Sequence, residues 1–504
     1  MIRKWMRIDL RSLGVFRILV ALLLLLDLIR RWEVKELFYG PGAAGELDYF
    51  RDWSFSLFHG IVSDWLFGYA AFACFASYFC LLIGYRTRAA TVVSFVLFTS
   101  LFRYNHALIH GGHMLLSAFL MWACFLPWGD RFSIDGRRVS PVANPSRESL
   151  PHVAVLLIQV QFVLIYFSSF LAKTLYHPLL PPGVTNDWIV GTAWYYAMNY
   201  RTVADGLAPW FVRNLPTWAF YVMNYSVLAF EGFGALLLLS SNPRLRRSAL
   251  LIGIGFSIGT MMTLYVGDIA RIMCAGTILF VRAEDWDWIS GCLGLDPRRA
   301  GAPLEAARIH RNLNWKDASQ WAALFLGYSN FWMVCDQFRV QPLPTVFRPE
   351  EAIRLQRIVA FDQNWDYFWN GPRIDHSFAF FGILDDGREI SLEEAFRGGS
   401  AWEGLRAPAP ATRVPIDGVV TYYGLLRFRY LDAFFNFGQI RKGETWPVNL
   451  VKLSRYLKAK YESRFAVHLA SIRVERIDRF TPPIERRTEG LGPGTVGASY
   501  SWKY

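Results

Sequence analysis

Residues 150–175 read LPHVAVLLIQVQFVLIYFSSFLAKTL. The stretch is long enough to cross a bilayer as a helix, yet it carries Gln159 and Gln161 at mid-depth and Lys173 near its far end. An ionisable side chain inside a spanning segment costs about 2.5–3.5 kcal/mol on the insertion scale, so it usually faces protein or water and often does chemistry. Lys173 therefore has two readings: an ammonium that snorkels to the interface, or a buried functional group.

The rest of the chain shares this character. Hydrophobic residues make up 53% of the 504 and the chain has 20 Trp, more than a soluble protein carries. Nine apolar segments follow one another: 13–29, 65–84, 89–103, 107–128, 150–175, 217–239, 249–266, the short 269–281 and 318–338. The net charge of +12 does not point to nucleic acid, because the basic residues cluster in short loops: Arg86–Arg88, 129–148, Arg244–Arg247 and 282–316. Those loops fall on one side, which places the N-terminus in the cytoplasm. Arg30 and Arg31, at the outer end of the first segment, break that pattern. The fold class this gives is a polytopic α-helical membrane protein of eight or nine spans (1–338), then a small α+β or mostly-β extramembrane domain (339–487) and a flexible Gly/Ser-rich tail (488–504). The first segment reads as an uncleaved helix, since Asp27, Arg30 and Arg31 stand where a small-residue cleavage site would be. The loop 176–216, with Trp188, Trp194, Tyr195 and Tyr196, reads as partly interfacial.

Beyond 338 the pattern changes. Asp385-Asp386-Gly387 inside 362–390 is a hairpin signal, 467–480 alternates as an exposed strand, and 449–461 is a basic amphipathic helix. The six cysteines have no zinc-ligand or CxxC spacing and read as membrane-helix filler.

Three patterns could carry chemistry. His106, His110 and His113 would share one helix face if the stretch is helical, a spacing that suits a metal or a proton relay, or else a polar lining. No carboxylate or cysteine nearby in sequence completes a metal site, and no metal is expected. Glu231 lies mid-span, either neutral and hydrogen-bonded or paired with a cation such as Arg17 or Lys173. Asp268 and Arg271 are placed to form a local salt bridge.

Several motifs resemble the horizontally transferred transmembrane (HTTM) domain family, which includes the vitamin K-dependent γ-glutamyl carboxylases. They are Asp9-Leu-Arg-Ser-Leu-Gly-Val-Phe-Arg17, Leu82-Ile-Gly-Tyr-Arg-Thr-Arg88, Phe125-Leu-Pro-Trp-Gly-Asp-Arg-Phe-Ser-Ile-Asp135 and Glu231-Gly232. Their order along roughly 8–340 carries the resemblance. It implies a lyase-type reaction in which a lysine deprotonates reduced vitamin K or another naphthoquinol. Oxygen then yields a strong base, and a glutamate in a protein or peptide takes up carbon dioxide. Tyr166-Phe-Ser-Ser-Phe-Leu-Ala-Lys173 fits the spacing of the family's lysine, making Lys173 the catalytic candidate. Asn105-His106 resembles an Asn-His pair that would polarise the quinol or nascent carbanion, with His106 catalytic and Asn105 binding. Arg17, His110, His113, Tyr166 and Glu231 complete the candidate substrate and cofactor contacts. Ala172 stands where the animal enzymes have a second lysine. The resemblance to bacterial members also implies an inner-membrane location with the C-terminal domain periplasmic. The partners it implies are membrane lipid, a lipophilic quinol, oxygen, carbon dioxide and a glutamate-containing polypeptide. The competing reading is a non-enzymatic membrane scaffold or carrier with an external partner-binding domain.

Overall fold

The computed structural model describes residues 5–33, 56–60, 64–104, 110–138, 152–175, 186–200, 206–292, 316–337, 347–351, 374–392, 461–489 and 495–503, with a few positions between them. Its helices are α1 (Leu10–Glu33), α2 (Asp64–Ile83), α3 (Thr87–Arg103), α4 (Gly111–Ala123), α5 (Ile134–Arg138), α6 (Val153–Thr174), α7 (Asp187–Val190), α8 (Ala193–Asn199), α9 (Ala208–Asn214), α10 (Thr217–Ala229), α11 (Pro243–Thr263), α12 (Ile269–Gly276), α13 (Ala283–Cys292) and α14 (Ala318–Gln337).

Four helical segments among the described residues are long and apolar enough to cross a membrane: Leu10–Trp32, Trp65–Ile83, Val153–Thr174 and Thr217–Leu239. This is fewer than the eight or nine spans expected from hydropathy. The apolar pieces Gly111–Ala123 and Ile269–Phe280 are shorter, and α11 opens with Arg244, Arg246 and Arg247. The outward faces stay apolar, with Phe72, Leu251 and Trp218 exposed.

Polar side chains bind the helices to one another, as expected where apolar surface alone cannot drive association. The start of α6 is gathered to the chain ahead of α1 and to α14. The His152 backbone N–H donates to the Met6 carbonyl (2.9 Å), and Val153 N–H donates to Gln320 Oε1 (2.9 Å). Gln159 donates to the Leu279 carbonyl (3.0 Å), and Gln161 accepts from Asn330 (2.5 Å). The two mid-depth glutamines thus serve packing.

Helix α4 starts at Gly111, not 107. His110 is its extended cap (φ −129°), accepting from Gly112 N–H. His110 and His113 therefore do not lie on one continuous helix, although their rings stack at 3.7 Å between centres; His106 lies outside the described residues. The 186–215 part of the expected interfacial loop forms α7, α8 and α9, with Trp188, Tyr195 and Tyr196 buried rather than at a surface.

The C-terminal sheet is antiparallel, with strand order β2-β1-β3-β4: β1 Ile374–Leu384, β2 Glu389–Ser391, β3 Leu469–Phe480 and β4 Thr495–Lys503. The Asp385–Gly387 turn joins β1 to β2, with Gly387 at φ +81°, a conformation glycine enters without a Cβ penalty. Two expectations are corrected here. The strand read as exposed, β3, is central and paired on both edges. The stretch read as flexible tail supplies β4, with Val474 opposite Tyr500 and Ile472 opposite Trp502. An unpaired β3 edge would leave a row of backbone donors and acceptors without partners, and β4 satisfies them. Phe380, Val474 and Ile472 belong to the same continuous apolar core as the helices, whereas Ala379, Phe381 and Ile477 form a small cluster of their own. The predicted helix at 449–461 and the linker at 405–415 fall largely or wholly outside the described residues.

Candidate functional site: a buried ion pair on an aromatic cavity

Helix α6 is a 22-residue helix capped by His152, whose ring accepts from Ala154 N–H (3.0 Å). Lys173 is the penultimate residue. Opposite it, α10 runs into a single π-helical turn, Phe230–Gly234, that widens the backbone and turns Glu231 inward. Such turns recur at functional sites. Gly232 lets the helices close up, since a Cβ there would lie 2.8 Å from the Phe170 ring.

The result is a two-point contact. Lys173 Nζ lies 2.5 Å from Glu231 Oε1 and 2.6 Å from Oε2, and Ser169 Oγ donates to Oε1 (3.3 Å). Lys173 is only 4% exposed and Glu231 5%, so the ammonium does not snorkel. Of the two cations open to Glu231, the partner is Lys173. Nζ also sits 4.5 Å from the centre of the Trp188 ring, a cation–π contact. Trp188 is fixed by its neighbours. Asn186 caps α7 by accepting from Trp188 and Ile189 N–H, and its amide donates to the Lys173 carbonyl (2.8 Å). Asn224 donates to the Trp188 carbonyl (2.9 Å).

The pair opens on a cavity of about 130 Å³, walled chiefly by Trp188, Trp194, Phe256, Ile165, Val227 and Met273. Tyr166 and Ser257 lie on the same wall. Their hydroxyls are buried and face each other.

Of the residues singled out from sequence, Lys173, Glu231 and Tyr166 come together here. His110 stands one residue before Gly111, which reaches the cavity, and packs behind it against Gly267. His113 is engaged elsewhere, with Nε2 3.0 Å from Asp27 Oδ1 and 2.7 Å from Arg31 Nη2. Arg17 is fully buried at a distance, donating from Nη2 to the Phe132 carbonyl (2.5 Å) beside Gly84. Asn105 lies outside the described residues, as does His106. Trp188, Trp194, Phe256 and Ser257 were not singled out. The tryptophans carried an interfacial signature, and the other two sit in an ordinary apolar run.

The anomalous arginines at the end of α1 are both neutralised. Arg31 pairs with Asp27 (2.6 Å) and Arg30 with Asp268 (2.7 Å); Asp268 also holds Arg271 (2.6 Å), the expected local bridge.

Fold and site together define a helical integral membrane protein with a buried lysine–carboxylate pair facing an apolar cavity. More particularly, the chain belongs to the HTTM domain family, whose model matches residues 5–286. No curated protein and no solved structure matches the chain.

Proposed function

We propose that the protein is a membrane enzyme in which the Lys173–Glu231 pair takes a proton from the hydroxyl of a lipophilic hydroquinone. The observation that carries the reading is the pair's placement. An ion pair serving only to hold helices together needs no cavity, yet this one faces a mostly apolar pocket with a few convergent polar groups, the pattern of ligand sites. The residues fit such a head group: flat aromatic walls, the ion pair on one side, and a volume close to the roughly 150 Å³ that accepts a benzene ring.

Glu231 and Ser169 fix the position of Nζ, while the Trp188 face and the α7 cap keep water from it. Because amine and carboxylate are in direct contact, the proton they share belongs to the pair, and either oxygen or nitrogen can receive one from a bound hydroxyl. The bound hydroquinone supplies that acidic hydroxyl and reducing equivalents for oxygen. Carboxylation of a glutamyl side chain, the step the family resemblance implies, is part of the proposal, with the extramembrane domain presenting the polypeptide. Contact between the domains supports that role: Tyr195 of α8 donates to the Pro482 carbonyl (3.1 Å), two residues beyond β3. We also include crossing of the membrane by the shorter helices α4 and α12 and by α11, an N-terminus in the cytoplasm, and residence in a bacterial inner membrane.

The test is oxygen uptake by purified protein given a reduced naphthoquinone, with and without a glutamyl peptide. Uptake that is lost in Lys173→Ala supports the reading. Unchanged turnover in that variant overturns it and favours a carrier or scaffold.

A further inference from the structure

The turn between α2 and α3 and the stretch 129–137, which runs into α5, are clamped together at the end of the span Trp65–Ile83. Asp135 N–H donates to the Gly84 carbonyl (3.0 Å), and the Asp135 carboxylate accepts from Arg86 N–H, Thr87 N–H and Thr87 Oγ1 at 3.0, 2.7 and 2.7 Å. Buried Arg17 of α1 holds the Phe132 carbonyl (2.5 Å). The surface so fixed carries Arg86, Arg88 and Arg137 exposed and Arg131 partly exposed. Among the described residues no carboxylate makes salt-bridge contact with any of the four; Arg88 and Arg131 act on Asp130 only at longer range. The backbone N–H groups at 86 and 87 are already taken by Asp135, so the guanidinium groups are what this surface offers an anion. Beside Arg131, Phe132 is 55% exposed at φ +53°, a conformation that a non-glycine residue keeps only where its surroundings hold it. Its ring rests on α1, where a Cβ on Gly14 would meet it at 2.9 Å. A bias of basic loops towards one membrane face does not by itself explain the missing counter-ions. In the other basic turn, Arg244–Arg247, the fold neutralises two of the three arginines: Arg246 pairs with Glu284 and Asp285 (2.5 and 2.9 Å) and Arg247 with Asp285 (2.7 Å).

We infer that the surface formed by 84–88 and 129–137 docks an anionic phospholipid, with Arg86, Arg88, Arg131 and Arg137 on the head-group phosphate and Phe132 against the lipid's apolar part. Guanidinium groups match phosphate oxygens with paired N–H donors. Place favours a lipid over a free phosphate. The span ends at Ile83, three residues before Arg86, which sets these side chains at head-group level, where clustered arginines attract anionic lipid. An exposed phenyl ring among them suits a ligand with a hydrocarbon portion. This surface and its ligand stand apart from the chemistry proposed at Lys173.

The experiment is native mass spectrometry of the full-length protein in detergent, titrated with dioleoyl-phosphatidylglycerol or dioleoyl-phosphatidylcholine. The wild type holds the anionic lipid at least about tenfold more tightly, since each arginine near the surface is worth about fivefold. Arg88→Gln weakens phosphatidylglycerol about fivefold, and adding Arg137→Gln brings it close to phosphatidylcholine. Both side chains are exposed and make no ion pair, so the unfolding midpoint stays where it is. Arg247→Gln, whose charge Asp285 already holds, keeps the preference. Equal binding of the two lipids by the wild type, or a preference that survives the double substitution, overturns the docking site. A preference lost equally in Arg247→Gln overturns it in favour of overall charge. Displacement of phosphatidylglycerol by excess inorganic phosphate at constant ionic strength overturns it in favour of a soluble phosphate ligand.

Discussion

Two of the carboxylate–cation pairs buried among the described helices, Asp27–Arg31 and Lys173–Glu231, differ in what surrounds them. Asp27–Arg31 is sealed. His113 closes one carboxylate oxygen, Arg31 donates onward to the Tyr39 hydroxyl, and Phe102 stacks on the His113 ring (5.8 Å). Lys173–Glu231 has comparable burial and distances but opens on a cavity. A charge in the membrane is therefore not itself a signature of chemistry. It becomes one when space is left beside it for another molecule.

The sharpest way to break this comparison is to neutralise each pair. Lys173→Met combined with Glu231→Gln should cut oxygen-coupled turnover by at least about 100-fold, the usual worth of a positioned proton acceptor. Thermal unfolding in detergent should barely move, because replacing both members of a buried pair by neutral isosteres is often neutral or stabilising. A variant that keeps its turnover would erase the distinction. Asp27→Ala should do the reverse. It leaves Arg31 buried without its carboxylate, an expected loss of about 3–5 kcal/mol in stability, with turnover per folded molecule unchanged.

A smaller effect tests the opposite end of α1, where the family's recognisable motifs meet. Gly84 adopts φ +69°, and a Cβ there would lie 1.8 Å from Arg17 Nη1. Gly84→Ala should cost about 1–3 kcal/mol through overpacking, read as a lower unfolding midpoint with turnover per folded molecule unchanged. These motifs build a clamp: Asp135 accepts from the Arg86 and Thr87 N–H groups that begin α3 (3.0 and 2.7 Å).

The smallest expected effect lies outside the membrane segments. Burial raises the Asp285 carboxyl, but the Arg282 N–H and the Arg247 and Arg246 guanidiniums outweigh it and hold the group below the ordinary carboxylate range. The stability this lends is fully present above the unfolded value of about 3.9. It is lost as pH falls through the lower folded value. Asp285→Asn should therefore flatten the decline of the unfolding midpoint below about pH 4 relative to wild type; parallel profiles would deny Asp285 that part.

Much of the organisation was legible along the chain because it is local. Continuous apolarity marked 150–175 as a spanning helix, the spacing of Asp268 and Arg271 gave their bridge, and Asp385-Asp386-Gly387 gave the β1–β2 turn. The tail was misread because Gly and Ser content outweighed the alternation of Ala498, Tyr500 and Trp502 with polar neighbours; pairing with β3 decided it. The helical placement of His110 was misread because it caps α4 instead of lying within it, and its ring meets His113 by stacking rather than by helical period.

The sequence by itself determined that two ionisable groups, Lys173 and Glu231, lie in apolar segments, and for Lys173 it left snorkelling and burial both open. Only the tertiary structure decided that they partner each other, 58 residues apart, and that Arg30 is neutralised by Asp268, 238 residues away. It likewise brought Trp188, Trp194 and Ser257 to one cavity. The reason is physical. Hydropathy and helical period are properties of neighbours in the chain, whereas the closing of an ion pair or a cavity depends on which helices pack together and how closely a glycine lets them approach.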